Sequence, residues 1–149
     1  MIHLRQAQGR MPRLQAGALY FVICFTIGFI VAPIRGLWLD PLLGQPRALA
    51  IELILLLLVS AAAARTSIRQ VGVPMGSADR AAVGFIALVL LVAVEDVLAR
   101  VFTDMSFLGI WAQLSEEAQV MSALLMLLFA AMPLLTVRPA APAAPPMYE

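Results

Sequence analysis

The sequence predicts an all-α membrane protein: a four-transmembrane-helix bundle with a short amphipathic helix at the outer membrane interface. Its 149 residues are 62% hydrophobic and 13% charged, with a mean hydropathy of +0.95. A soluble domain of this size cannot bury so much apolar surface. Four apolar stretches, at about 16–34, 48–64, 81–99 and 118–137, reach or approach the length of about 20 helical residues that crosses a hydrocarbon core.

The first apolar stretch follows Arg5, Arg10 and Arg13, as the core of a signal peptide would. Residues 16–34 are longer than a typical signal-peptide core, however, and no A-x-A-like cleavage site ends them. We therefore expect an uncleaved first transmembrane helix.

The distribution of arginine predicts the topology, because cytoplasmic loops carry an excess of positive charge. Seven arginines fall on one side of the predicted membrane and three on the other. The seven are Arg5, Arg10, Arg13, Arg65, Arg69, Arg80 and Arg138, and the three are Arg35, Arg47 and Arg100. We expect a multi-pass protein of the inner (plasma) membrane with both termini in the cytoplasm.

The connections between spans carry structural signals. The first connection combines glycines and prolines with Trp38, a residue type favoured at membrane interfaces. The second offers Ser77 or Asp79 as the N-cap of the third span.

The third connection contains an apolar stripe. Phe107, Ile110, Trp111 and Leu114 follow i, i+3, i+4, i+7 spacing, which predicts a short helix near 105–115 lying in the outer interface. Its simplest role is a connector with a tryptophan anchor; a lid or docking surface is the alternative.

The chain is expected to form one domain over residues 1–138, followed by a Pro/Ala-rich tail at 139–149 that has little to pack and should be disordered. Within the domain, Pro33 and Pro133 predict kinks in the first and fourth spans. No internal repeat relates one pair of spans to the other.

Three charged residues of the spans form the candidate site: Arg35, Glu52 and Glu95. Arg35 ends the first span on the outer side, and both glutamates are predicted about one helical turn below the same surface. A charge within a bilayer usually faces protein or water, because exposing it to lipid costs free energy. Asp96 is expected instead to pair with Arg100, four residues along the helix.

Three interpretations of this cluster remain open. In the first, Arg35 bridges Glu52 and Glu95 and locks the packing of the helices. In the second, the two carboxylates form a protonatable or cation-binding site open to the outer face. In the third, the side chains reach water without touching one another.

Small residues on the spans predict close helix packing. Cys24, Gly28 and Ala32 recur every four residues, and Ala61–Ala64 and Ala130–Ala131 add further small surfaces. We expect these positions to bring helices together.

The sequence lacks the residues that several classes of function need. The sole histidine, His3, lies on the wrong side for a Ser–His pair, so no catalytic residue is assigned and an enzyme is not expected. No Cys/His cluster or Gly-rich phosphate loop is present, and we expect neither a metal nor a cofactor. A net charge of +1 gives no basic field for nucleic acid.

The series Gly28, Arg35, Pro41, Gly44 and Glu52, followed by Glu95 in the third span, resembles small four-span bacterial inner-membrane proteins of unknown function. The resemblance covers about residues 25–135. It implies a four-helix membrane protein in which the first loop and the two glutamates belong together, and it implies no activity.

The sequence supports two functional expectations. The first is an accessory or scaffold subunit of a larger membrane assembly, because the chain is small and lacks a catalytic or cofactor motif. The second is a proton- or cation-coupled small-solute transporter that uses the outer-leaflet carboxylates. Expected partners are the lipid bilayer and either a larger membrane complex or further copies of this chain.

Overall fold

A computed structural model describes residues 2–71, 76–114 and 116–136, and this part of the chain contains helices and no strand. The predicted C-terminal tail at 139–149 lies outside the described residues. The helices are α1 (Ile2–Ile34), α2 (Asp40–Leu43), α3 (Gln45–Val71), α4 (Ser77–Thr103), α5 (Phe107–Trp111) and α6 (Glu116–Thr136), and a π-helical segment, Arg35–Leu39, joins α1 to α2. The all-helical prediction is confirmed.

Four helical segments are long and apolar enough to cross a membrane: Met11–Leu43, Ala50–Val71, Ser77–Thr103 and Gln119–Thr136. Their number agrees with the sequence prediction, but most are longer than predicted. The first continues through the π-helical segment into α2, whose first turn tolerates Pro41.

The four long helices form a ring. α1 packs against α3 and α4, and α6 packs against the same two helices, so α1 and α6 lie diagonally across the bundle. The core is buried between them at the level of Tyr20, Ala64, Ala87 and Phe129. Apolar side chains on the outside of the ring remain exposed, as expected when lipid is the surrounding solvent.

The closest helix approaches include one predicted small surface, at Ala130 on α6, and two glycines that were not predicted, Gly17 and Gly84. A Cβ atom at Gly84 would meet the backbone carbonyl of Ala130 on α6, and one at Gly17 would lie 2.8 Å from a methyl carbon of Ile86 on α4. At Gly28 the nearest atom would be 3.7 Å away. All three residues of the predicted Cys24–Gly28–Ala32 stripe line a cavity, and α3 meets the stripe at Gly28 through the side chain of Leu56 and not through a close backbone approach.

The connections are organised by local hydrogen bonds. α4 begins after Gly76, whose amide donates to the Asp79 carboxylate at 3.0 Å, so neither Ser77 nor Asp79 is itself the N-cap. α4 ends at Asp104, a non-glycine residue with φ of 57°. α5 is shorter than the predicted outer helix, and Leu114 lies beyond its last residue.

Candidate functional site

A cavity of about 520 Å³ lies inside the bundle and is lined by all four long helices. Its lining residues on α1 fall between Cys24 and Pro33, those on α3 between Glu52 and Ser60, and those on α4 between Leu91 and Phe102. These positions are late in α1, early in α3 and late in α4. The cavity therefore occupies the half of the bundle where α1 connects to α3 and α4 connects to α6, the half predicted to face outward.

The wall of the cavity is mainly apolar and carries several aromatic rings. Phe25 and Phe29 on α1 stack with their centroids 5.9 Å apart. Phe102 and Phe129 contribute rings from α4 and α6. Phe29 and Phe102 are also largely exposed on the outside of the bundle, so the cavity reaches the surface that would face lipid.

Two carboxylates, Glu52 and Glu95, interrupt this apolar wall. Glu52 lies seven residues into α3 and Glu95 eight residues before the end of α4, which puts them about 10 Å and 12 Å along their helices at 1.5 Å per residue. The two acids thus lie at similar distances from the ends of their helices, as the sequence suggested.

Arg35 neutralises one of these acids. Its Nε lies 2.6 Å from an Oε atom of Glu52, and its Nη1 donates to Asp40 at 2.9 Å. The N–H of Nε is not aligned for a hydrogen bond to Glu52, so this contact is an ion pair. The Glu52 side chain is only 10% exposed, and Arg35 is at 23%.

The second partner of Arg35 is therefore Asp40 and not Glu95. Asp40 stands five residues after Arg35 across the π-helical segment, and this wider turn brings the two side chains together. Asp40 belongs to the first predicted connection between spans, and its part in the cluster was not predicted. Side chains five residues apart are not neighbours on a regular α-helix, so the sequence alone does not predict this pair.

Glu95 has neither an ion-pair nor a hydrogen-bond partner among the described residues. It is half-buried and borders the same cavity as Glu52. Its neighbour Asp96 points elsewhere and pairs with Arg100 at 2.8 Å, which confirms the predicted i, i+4 pair. Among the described acids that line the cavity, Glu95 is thus the one without a cationic partner.

A second cavity of about 310 Å³ adjoins the first and shares Glu52 and Glu95 as lining residues. α5 contributes Phe107 to its wall. The backbone N–H of Phe107 donates to Asp96 at 2.9 Å, so α4 holds the start of α5 in place through a residue next to Glu95. The sequence predicted the pair of Asp96 with Arg100 but not this second role.

The other end of the cavity is closed by an aromatic stack. The rings of Tyr20 on α1 and Phe129 on α6 lie 4.7 Å apart and nearly parallel, and they bridge the diagonal of the bundle. The Tyr20 hydroxyl donates to the Phe129 carbonyl at 2.8 Å. This carbonyl would accept from residue 133 in a regular helix, but Pro133 has no N–H to give. Tyr20 therefore satisfies an acceptor that Pro133 frees.

The fold and the cavity define a class: a four-helix bundle with four potential membrane spans and a carboxylate-bearing internal cavity. The described residues contain no group of three or more His, Cys, Asp or Glu side chains suited to a metal ion. No family model, curated protein or solved structure matches the chain.

Proposed function

We propose that this protein is a small multi-pass membrane transporter that binds a solute in the central cavity and couples its movement to protons or cations through Glu95 and Glu52. The observation that carries the proposal is the position of Glu95, a carboxylate without a partner among the described residues, in the wall of a cavity of about 520 Å³. A binding cavity of this size is typical of small-molecule sites.

The free energy of a buried charge supports a functional role for Glu95. An acid within a membrane span is costly unless it is paired or reaches water, and such residues commonly mark ion or substrate pathways. Glu52 is stabilised by Arg35, so a structural reason accounts for it. Among the described residues, no comparable contact accounts for Glu95.

The closed end of the cavity supports a transport cycle with alternating access. The Tyr20–Phe129 stack separates the cavity from the half of the bundle predicted to face the cytoplasm. Release on that side would require this stack to part. Pro133 gives α6 a position where the helical hydrogen bonding is already interrupted, which favours bending there.

Reconstitution into vesicles tests the proposal. Purified protein in liposomes that enclose the pH dye pyranine would be challenged with alanine, ethanolamine and ethidium, which probe a zwitterion, a small amine and an aromatic cation. We expect one or more probes to drive proton movement in wild-type vesicles and not in Glu95→Gln vesicles. Asp104→Asn is the matched control, because Asp104 is an exposed acid on the same helix end and asparagine tolerates its positive φ.

Folded wild-type protein that moves no protons with any of the three probes would contradict proton-coupled transport of these solutes. Folding is checked in the same preparation by circular dichroism and by a single peak in size-exclusion chromatography. This check separates loss of transport from loss of structure.

An accessory or scaffold subunit is the second candidate, and one surface favours it. Leu37, Trp38 and Leu42 are at least 70% exposed at the corner that joins α1 to α3, where they offer an apolar contact. Extraction in mild detergent at native expression, with mass spectrometry of what co-purifies, tests this role. A stoichiometric larger partner lost on Trp38→Ala would support it, and a complex of this chain alone would contradict it.

A further inference from the structure

We infer that the ligand of the central cavity is a lipophilic organic monocation, with an aromatic or branched apolar body and one positive charge that Glu95 neutralises. This inference rests on the proposed role of the cavity as a binding site and adds the chemical class of the ligand.

The size of the cavity argues for an organic ligand. About 520 Å³ is many times the roughly 30 Å³ that one water molecule occupies in the liquid. A bare inorganic cation would need several oxygen ligands around it, and the lining offers oxygen mainly from Glu52, Ser60 and Glu95. Among the described residues no cluster of acids, cysteines or histidines meets that need.

The charge of the wall argues for a single positive charge. The lining includes two carboxylates and no basic residue. Arg35 contacts Glu52 at 2.6 Å and offsets that charge, which leaves Glu95 to attract a ligand. An anionic ligand would meet Glu95 without any compensating cation in the lining.

The aromatic rings argue for a lipophilic cation over a strongly hydrated one. Phe25, Phe29, Phe102 and Phe129 line the cavity, and the faces of aromatic rings attract cations that have lost their water. Phe29 and Phe102 are 59% and 76% exposed on the outside of the bundle, on neighbouring helices. A cation already dissolved in the membrane can therefore reach the cavity from the side.

Equilibrium binding of tetraphenylphosphonium tests this inference. Isothermal titration of the purified protein in detergent would compare this cation with triphenylphosphine oxide, a neutral molecule with similar rings. We expect tetraphenylphosphonium to bind and the neutral compound to bind at least about tenfold more weakly, because the neutral compound lacks the charge that Glu95 attracts; tenfold corresponds to about 1.4 kcal/mol. Equal affinity for the two compounds would overturn the inference.

Two variants locate the binding. Glu95→Gln removes the charge, and since Glu95 has no described partner the change strands no other group. Gly28→Leu fills the cavity without changing a charge, because a Cβ at Gly28 has its nearest neighbour at 3.7 Å. We expect each to weaken tetraphenylphosphonium binding at least about tenfold, while Asp104→Asn leaves it unchanged. Wild-type affinity in both variants would contradict the site.

The binding and transport experiments can contradict the ligand class and the transporter proposal independently of each other. Binding of tetraphenylphosphonium that depends on Glu95, with no proton-coupled movement of any probe, would retain the ligand class and reject the transporter. Transport of alanine by a protein that does not bind tetraphenylphosphonium would retain the transporter and reject the ligand class.

Discussion

The two halves of the bundle contain the same helices but differ in how closely those helices pack. In the half predicted to face the cytoplasm, glycines and alanines let the helices touch, and Tyr20 and Phe129 close the centre. In the other half the same helices diverge around a cavity that holds Glu52 and Glu95. Small residues on an apolar helix therefore mark either a close contact or an open space, depending on whether another helix approaches them.

The arginines show the same contrast. At the closed end Arg13 pairs with Asp79 at 2.6 Å, and Arg65 donates to the carbonyl of Thr136 at the end of α6. Each of these contacts joins two helices. At the cavity end Arg35 joins Glu52 to Asp40 and leaves Glu95 to the cavity.

The largest expected effect comes from the charge pair at the cavity end. Arg35→Gln leaves the buried Glu52 carboxylate without its cation, and we expect a loss of about 3 kcal/mol in the free energy of unfolding. Thermal unfolding in detergent measures it. The double variant Arg35→Gln/Glu52→Gln should recover most of the loss. The matched control is Arg100→Gln, which removes an exposed pair and should have a much smaller effect. Equal effects for the two arginines would remove the distinction between them.

Glycine substitutions compare the two halves directly. Gly84→Ala forces α4 and α6 apart at the Ala130 carbonyl and should destabilise the protein by about 1–3 kcal/mol. Gly28→Ala adds the same methyl group at an ordinary contact distance and should not destabilise the protein, because alanine favours a helix more than glycine does. Thermal melting of both variants under one condition checks the pair. A destabilised Gly28→Ala would indicate that the cavity half is as tightly packed as the other.

The hydrogen bond at the floor of the cavity should contribute about 1 kcal/mol, so Tyr20→Phe is expected to lower stability by that amount. The cause is specific to Pro133, which deprives the Phe129 carbonyl of its helical donor. In a Pro133→Ala background the helix supplies that donor, and Tyr20→Phe should then cost less. A double-mutant cycle measures this coupling. Additive effects would show that Pro133 does not create the need for Tyr20.

The smallest effect concerns the tether of α5. Asp96→Asn weakens the contacts to Arg100 and to the Phe107 amide, and α5 should become easier to displace while the bundle stays folded. Hydrogen exchange followed by mass spectrometry checks it, with faster exchange expected at residues 107–111 and unchanged exchange in α6. Unchanged exchange in α5 would show that Asp96 does not hold it.

Much of the architecture could be predicted because it depends on composition and period. Four apolar stretches gave four helices long enough to span, and the pair of Asp96 with Arg100 followed from helical spacing alone. Similar predicted depths in the second and third spans also suggested that Glu52 and Glu95 belong together, and both do line one cavity.

The remaining features depend on which helix surfaces pack against each other, and the local sequence does not give that information. The partnership of Arg35 with Asp40 needs a π-helical turn, and the role of Tyr20 needs a proline 113 residues later in the chain. The stripe of Cys24, Gly28 and Ala32 has the pattern of a contact surface, but nothing in the pattern says whether a partner approaches it. Gly84 carries the real contact because Ala130 faces it.

Access to the cavity from the predicted outer side can be tested most directly with Cys24, the only cysteine of the chain. Cys24 lines the cavity, above the Tyr20–Phe129 stack, and a membrane-impermeant cationic methanethiosulfonate reagent can report whether it is reached from outside. We expect Cys24 in membrane vesicles to be labelled from the predicted outer side and to be protected by tetraphenylphosphonium. We also expect that a cysteine placed at Ala64 in a Cys24→Ala background is not labelled, because Ala64 is fully buried in the closed half. An unreactive Cys24, or labelling from the cytoplasmic side alone, would contradict a cavity that opens to the outer side.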